Sequence, residues 1–251
     1  HNAFLDDDAL REALATFGGN PQDGPLTQLG ALTGSETARE WGRLANEYTP
    51  VLRTFDRYGR RIDEVEFHPA WHELMTVAVE HGLHAAPWST DDKTAHVRRA
   101  AGFLMWSQAE AGHGCPISMT YASVPALRVD PLRAGQWEPG LASRQYDFGL
   151  RPTGEKAGLI AGMAMTEKQG GSDVRSNTTV AQPVADGYLL TGHKWFCSAP
   201  MSDVFLVLGQ APGGLTCFIV PRVLPDGSRN VFEIQRLKDK LGNRSNASSE
   251  V

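Results

Sequence analysis

The chain changes its hydrophobic period once, near residue 158, and this change limits the folds that it can adopt. Up to that point apolar residues recur at the spacing of an amphipathic helix. Beyond it, short apolar or alternating runs are separated by turns rich in Gly, Pro and Asp, as in strands. The sequence therefore predicts an α+β chain, in which an N-terminal all-helical domain at residues 1–158 is followed by an antiparallel β domain at residues 159–251.

Five helices are predicted in the first part. They cover residues 6–17, 36–47, 70–82, 89–112 and 116–124, and the fourth is expected to be the longest. Ser35 is a suitable N-cap for the second helix, and Pro69 suits the first turn of the third. Pro125 is expected to end or bend the fifth, because proline removes a helical hydrogen bond.

Five strands are predicted in the second part, joined in antiparallel order by tight turns. They cover residues 160–165, 188–195, 204–208, 215–220 and 231–234. Residues 248–251 look like the start of a further strand. Because an unpaired sheet edge favours aggregation, the sequence is predicted to be the front part of a longer protein.

Composition narrows the class of protein further. The chain is 41% apolar and 21% charged, with a formal net charge of -5, which is typical of a globular protein without general affinity for polyanions. No apolar run is long enough to span a bilayer, so we expect no membrane partner and a cytoplasmic location. The cysteines are odd in number and far apart, as expected for reduced thiols: Cys115, Cys197 and Cys217.

Two short segments carry the functional signal. The first reads Ala164-Met165-Thr166-Glu167-Lys168-Gln169-Gly170-Gly171-Ser172-Asp173, and the second reads Lys194-Trp195-Phe196-Cys197-Ser198. Hydroxyls and glycine amides at a strand end, with an indole on the next strand, suit a planar cofactor that bears phosphate. An ordinary turn beside a core tryptophan is the alternative. The ordered set of threonine, glutamate, paired glycine, serine and aspartate favours the cofactor.

These segments resemble the flavin-binding signature of the acyl-CoA dehydrogenases. The flanking Gly162-Met163 and the run at residues 176–179 are similar to the adaptive alkylation-response (AidB-like) branch of that family. The resemblance implies FAD as cofactor, an acyl-CoA or related substrate, and a homotetramer or dimer. It also implies a C-terminal helical domain that is absent from this chain.

The resemblance assigns ten residues to cofactor binding: Met163, Met165, Thr166, Gly170, Gly171, Ser172, Trp195, Phe196, Cys197 and Ser198. Thr166 stands where the family's threonine contacts the isoalloxazine, and Trp195 where a tryptophan packs on the dimethylbenzene side. Cys197 replaces a threonine common in the family. Because a thiol is a poorer donor, Ser198 or backbone amides would replace that hydroxyl, or the flavin would be tuned differently.

The catalytic base cannot be assigned within this chain. In most of the family it is a glutamate of the C-terminal helical domain, so we expect it beyond Val251. Glu110 is the candidate here, but a carboxylate at a helix end is expected to be solvated. Glu167 and Asp173 are predicted to orient the loop instead of reacting.

Two other patterns in the sequence each allow a structural and a functional interpretation. The histidines at 68, 72, 81 and 84 lack partners at metal-ligand spacing, so no metal is predicted. The basic run at residues 236–244 could contact a CoA phosphate, DNA or a second subunit, although a turn between packed strands is the simpler interpretation.

The functional hypothesis is an FAD-dependent acyl-CoA dehydrogenase-like flavoprotein. Such an enzyme removes the α-proton of an acyl thioester and transfers the β-hydrogen as hydride to flavin N5. The alternative is a flavoprotein that protects DNA against alkylation by binding it, with vestigial dehydrogenase activity. The resemblance places that DNA-binding surface in the missing C-terminal portion.

Overall fold

The computed structural model describes residues 1–251, and it confirms the α+β class. Seven α-helices precede an eight-stranded sheet: α1 Asp8–Thr16, α2 Gly24–Thr33, α3 Glu36–Glu47, α4 Pro69–Glu80, α5 Ala95–Trp106, α6 Gly114–Leu127 and α7 Pro131–Leu141. A separate hairpin, β1 Val51–Phe55 and β2 Arg61–Glu66, lies between α3 and α4. The sheet contains β3 Ala161–Thr166, β4 Val180–Val184, β5 Gly187–Thr191, β6 Phe196–Ser198, β7 Val204–Ala211, β8 Gly214–Pro221, β9 Arg236–Leu237 and β10 Ser248–Glu250.

Side-chain caps set several helix starts. Ser35 accepts a hydrogen bond from the Ala38 amide and so begins α3 where the sequence predicts it. Pro69 occupies the first turn of α4, where its missing N–H costs nothing. Asp23 and Asp130 cap α2 and α7, two helices that the sequence analysis did not predict.

The helix predicted over residues 89–112 is wrong in both bounds. The Asp92 carboxylate accepts the Thr94 amide at 2.8 Å, which holds a turn before α5 begins at Ala95. At the other end α5 stops at Trp106, and the Glu110 carboxylate accepts the Gly112 and His113 amides in the turn before α6. The longest helix is therefore α6, with 14 residues, and Pro125 lies inside it without ending it.

The first part is not entirely helical, because the β1–β2 hairpin interrupts it. Asp56 accepts hydrogen bonds from the Tyr58 and Arg60 amides, and Gly59 adopts a φ of +77° at the tip. This conformation favours glycine. The hairpin was missed because β1 is a short, partly exposed strand with no continuous apolar face.

The sheet is mixed, which corrects the prediction of purely antiparallel strands. Its order is β5-β4-β7-β3-β6-β10-β9, with β8 also paired to β7. Strand β3 runs parallel to β7, whereas β3 and β6 are antiparallel. The strand predicted over residues 231–234 is absent, because this segment packs side chains instead: Phe232 stacks on Phe205 and Ile234 is buried.

A small apolar cluster joins the helices to the sheet. It consists of Leu127, Trp137, Leu141, Leu159, Ala161 and Val204, from α6, α7, β3, β7 and the segment before β3. The Thr120 hydroxyl of α6 also accepts the Ala161 amide at 3.0 Å. The start of β3 is therefore fixed against α6. None of the seven α-helices combines the length and the apolar character that a membrane span requires.

A buried ion pair holds the connection that enters β3. Lys156 Nζ lies 2.5 Å from Asp203 Oδ1, and the two side chains are 2% and 5% exposed. Asp203 also accepts the Ile160 amide at 2.8 Å. Both charges are removed from water, so the loss of either partner would leave an unpaired charge in the interior.

We expect Lys156→Met to lower the free energy of unfolding by about 3 to 5 kcal/mol, because it leaves the buried Asp203 carboxylate without its counter-charge. The matched control is Arg43→Met on α3, whose pairs with Glu40 and Glu47 are solvent-exposed; it should cost less than about 1 kcal/mol. Urea unfolding measures both. Equal losses in the two variants would contradict the importance of burial at Lys156.

Candidate functional site

The two signature segments meet at the pairing of β3 with β6. Met163 lies opposite Ser198, and Thr166 lies opposite Phe196. The Trp195 amide donates to the Thr166 carbonyl at 2.9 Å. Three residues on β3 span the distance of two on β6, so β3 carries a bulge that bends its end. The threonine and the tryptophan are therefore neighbours in space.

The pairing divides the predicted residues between the two faces of the sheet. Partners across an antiparallel pair project to the same side, so Met163, Thr166, Phe196 and Ser198 share a face. Phe196 is 40% exposed there. We call this surface the open face. Met165 lies in the bulge between Met163 and Thr166 and is half-buried.

Cys197 points to the opposite, core side of the sheet. Its side chain is fully buried and packs with Ala164, Phe205 and Val207. Burial raises the pKa of the thiol to about 12. Its backbone carbonyl accepts a hydrogen bond from the Ser249 hydroxyl at 3.0 Å. Among the hydroxyl and thiol groups of β6, Ser198 is thus the one on the open face.

The glycine pair brings a turn against the end of β3. Gly170 donates to the Glu167 carbonyl at 3.1 Å with a φ of +149°, a conformation that favours glycine. A Cβ on Gly171 would lie 2.7 Å from Thr166 Oγ1, closer than a side chain allows. Gly171 and Ser172 are exposed. Backbone, not side chain, therefore approaches the threonine hydroxyl.

Glu167 anchors this turn, which confirms its predicted orienting role. Its carboxylate is buried and lies 2.8 Å from Lys194 Nζ. It also accepts the amides of Thr178 and Thr179 at 2.7 and 3.0 Å, together with both hydroxyls. Burial alone would raise its pKa, but the Lys194 ammonium and the Thr178 amide hold the pKa well below its usual range.

Lys194 immediately precedes Trp195, so Glu167 fixes both signature segments at once. The sequence analysis missed Lys194, Thr178 and Thr179 as parts of the site. Residues 176–179 were recognised only as a marker of the family branch. A pair of threonine hydroxyls that binds a distant carboxylate gives no local signal in the sequence, because the partners are brought together only by the fold.

Basic side chains surround Trp195. Lys238 Nζ lies 3.3 Å from the centroid of the indole and 2.7 Å from Glu250 Oε1. Lys168 Nζ and Arg236 Cζ each lie 5.7 Å from the same ring. The basic run at 236–244 is therefore not one patch. Arg236 on β9 and Lys238 lie near this indole, whereas Lys240 points inward and donates to the Asn246 carbonyl and the Ser248 hydroxyl.

Glu110 is buried, which corrects the expectation of a solvated carboxylate. It is 6% exposed and accepts the Gly112 and His113 amides, each at 2.8 Å. Burial would raise its pKa, but hydrogen bonds from the side chain and amide of His113 hold it at about 2. The carboxylate is ionised at neutral pH and is already saturated with donors.

Two protein-family models together match most of the chain. The family model for the adaptive response protein AidB N-terminal domain matches residues 1–148, and that for the acyl-CoA dehydrogenase middle domain matches residues 162–251. The chain belongs to the AidB-like branch of the acyl-CoA dehydrogenase family. This confirms the resemblance read from the two signature segments.

Three relatives illustrate the membership. The chain is 51% identical to AidB of Escherichia coli (strain K12), over 100% of the chain and 47% of the relative. The name of that relative describes it as an acyl-CoA dehydrogenase. The structure of Caenorhabditis elegans ACDH-11 in complex with C11-CoA matches with a TM-score of 0.84 and 27% identity, over 100% of the chain and 44% of that structure. An acyl-CoA dehydrogenase from Bacillus anthracis, complexed with FAD, shares the fold with a TM-score of 0.60 and 20% identity, over 98% of the chain and 35% of that structure.

The chain spans about half the length of the curated relatives that it matches. The family relationship therefore concerns the helical part and the sheet. The site elements β3, β6 and the glycine turn all lie within the region that matches the acyl-CoA dehydrogenase middle domain.

We expect Glu167→Gln to lower the free energy of unfolding at pH 7 by about 3 kcal/mol, because it leaves the Lys194 ammonium buried without a counter-charge. The folded pKa of Glu167 lies below the unfolded value, which is about 4.3. Its contribution is therefore present above that pH and lost as pH falls below it.

Urea unfolding of wild type and variant between pH 7 and 3 measures this effect. The difference between the two should shrink as the pH falls. Glu47→Gln on α3 is the matched control, because Glu47 is half exposed and pairs only with Arg43. A difference that stayed constant with pH would show that the Glu167 charge does not stabilise the fold.

Proposed function

We propose that this chain forms the cofactor-binding front part of an FAD-dependent acyl-CoA dehydrogenase-like oxidoreductase. The observation that carries the proposal is the junction of Thr166 and Trp195, whose backbones share a hydrogen bond of 2.9 Å beside the glycine turn. Both side chains are half-buried, so each retains surface for a ligand.

The residues present fit FAD. A planar ring needs a flat apolar neighbour and hydrogen-bond donors at its edge. The indole of Trp195 supplies the first, and the hydroxyls of Thr166 and Ser198 supply the second. The glycine pair would let the backbone approach the ring or a phosphate, and the exposed Ser172 would contact a phosphate or the acyl-CoA.

FAD, when bound, supplies a hydride acceptor, which the side chains of this chain cannot provide. The chain would orient the ring and exclude water from it, with Phe196 and Met163 covering the open face. Lys168, Arg236 and Lys238 would add positive charge near the indole, which favours a cofactor that gains electron density. Cys197 contributes through its backbone in this proposal, because its thiol lies in the core.

The substrate that we propose is an acyl thioester of coenzyme A, which is oxidised between its α and β carbons. The bound C11-CoA of the C. elegans relative supports this class of substrate. Removal of the α-proton needs a carboxylate with free acceptor positions. The carboxylates of Glu110 and Glu167 are saturated by donors of the chain, so we propose that the base lies outside residues 1–251.

The alternative function, protection of DNA against alkylation by a DNA-binding flavoprotein, has support only from the family relationship. The net charge of -5 disfavours a nucleic-acid surface within this chain. Acyl-CoA-dependent bleaching of the flavin without salt-dependent DNA retention supports the dehydrogenase. Retention without bleaching supports the alternative.

We expect the full-length protein to purify with the absorption spectrum of a flavin, and with about one FAD per subunit. Thr166→Ala should weaken FAD binding about tenfold, and Trp195→Ala by at least as much, because each removes a direct contact. Fluorescence titration of the apoprotein with FAD measures the affinities.

Thr216→Ala is the control, since Thr216 lies on β8 and its hydroxyl bonds only the Gly214 carbonyl. It should bind FAD like wild type. An unchanged affinity for FAD in both Thr166→Ala and Trp195→Ala would refute the proposed FAD site. Light scattering of the same sample tests the homo-oligomer that we propose from the family relationship.

A further inference from the structure

Glu110 joins three distant parts of the chain. Its carboxylate accepts Asn46 Nδ2 from α3 at 3.1 Å and Ser245 Oγ, from the segment before β10, at 2.7 Å. It also accepts the two amides that begin the turn into α6. The contact with Asn46 is partly buried, and the other three are buried. The carboxylate therefore works as a junction between the helical part and the end of the sheet.

The contact with Ser245 is close and leaves no room for adjustment. A Cβ on Gly112 would lie 2.1 Å from Ser245 Oγ, so only glycine lets the turn approach this hydroxyl. Ser245 is 1% exposed. Because both sides are buried, the position of Ser245 relative to the start of α6 is fixed by the Glu110 hydrogen bond.

The segment that follows Ser245 leads to the open face. Lys240 Nζ donates to the Asn246 carbonyl at 2.7 Å and to Ser248 Oγ at 3.1 Å. Ser248 Oγ in turn lies 3.1 Å from Ser198 Oγ, and the two residues are paired between β10 and β6. Ser198 lies opposite Met163 on the open face. Through the peptide bond between Ser245 and Asn246, these buried and partly buried polar contacts therefore connect Glu110 to the proposed cofactor site.

We propose that Glu110 is a positioning residue for the proposed flavin site: by holding Ser245 it sets the place of β10, and through β10 the orientation of the Ser198 hydroxyl. The inference rests on the proposed function for its effect on FAD. Glu110 lies in the turn between α5 and α6, and this role does not require contact with substrate.

The test compares Glu110→Gln, Ser245→Ala and the double variant in the full-length protein. Each single variant should weaken FAD binding about fivefold, which corresponds to the loss of one ordinary hydrogen bond. The double variant should bind no more weakly than Glu110→Gln alone, because both changes remove the same contact. The visible flavin spectrum should shift alike in all three.

Hydrogen exchange gives a second readout that does not depend on FAD. Amides of β10 and β6 should exchange faster in Glu110→Gln than in wild type, whereas those of β4 and β5 should not change. Glu47→Gln, an exposed carboxylate of α3, is the control and should alter neither readout. This comparison separates a local effect on the site from a general loss of stability.

Three outcomes would overturn the inference: wild-type FAD affinity in Glu110→Gln, losses that multiply in the double variant, or unchanged exchange in β10 and β6. A wild-type protein without any affinity for FAD would instead contradict the proposed function. In that case the exchange measurement alone decides whether Glu110 positions β10. Faster exchange there supports the inference, and unchanged exchange refutes it.

Discussion

The buried pair of Glu167 and Lys194 is the interaction on which the site depends. The segment between β3 and β4 makes few backbone hydrogen bonds to neighbouring strands, so its backbone amides need other partners. Glu167 supplies them by accepting two successive amides and two hydroxyls beyond the glycine turn. The Lys194 ammonium balances the charge at 2.8 Å. One carboxylate thus orders the segment between β3 and β4.

The sheet places this ordered turn beside the open face. Strand β3 lies between parallel β7 and antiparallel β6, and its end at Thr166 pairs with β6. The bulge in β3 brings Thr166 to the same side as Phe196, while Ala164 and Cys197 fill the core beneath. The apolar cluster around Trp137 then holds this sheet against α6 and α7. Each layer therefore restricts the position of the proposed site.

The sequence predicted the elements with strong local signals. Ser35 and Pro69 mark real helix starts, and the short runs at β3, β7 and β8 are strands. The prediction from sequence failed where tertiary contacts determine the bounds or the pairing of an element. Asp92 and Glu110 cut short a helix that its periodicity would extend, since their carboxylates bind backbone amides of turns. The parallel pairing of β3 with β7 has no signature in single strands.

The site shows the same limits. The order of residues around Thr166 and Trp195 identified two segments that the fold brings together, because that order is a local pattern. The burial of Cys197 depends on the register of β6, which alternation alone cannot fix when the strand has only three residues. The role of Lys238 beside the indole depends on the path of the chain after β9, which no motif specifies.

The most direct measurement is an experimental structure of the full-length protein with saturating FAD. The account predicts the isoalloxazine on the open face, with its edge within hydrogen-bond distance of the Thr166 hydroxyl and its dimethylbenzene side against Trp195. It also predicts the Glu167–Lys194 pair unchanged. A flavin bound elsewhere, or no bound flavin beside Thr166 at saturation, would contradict it.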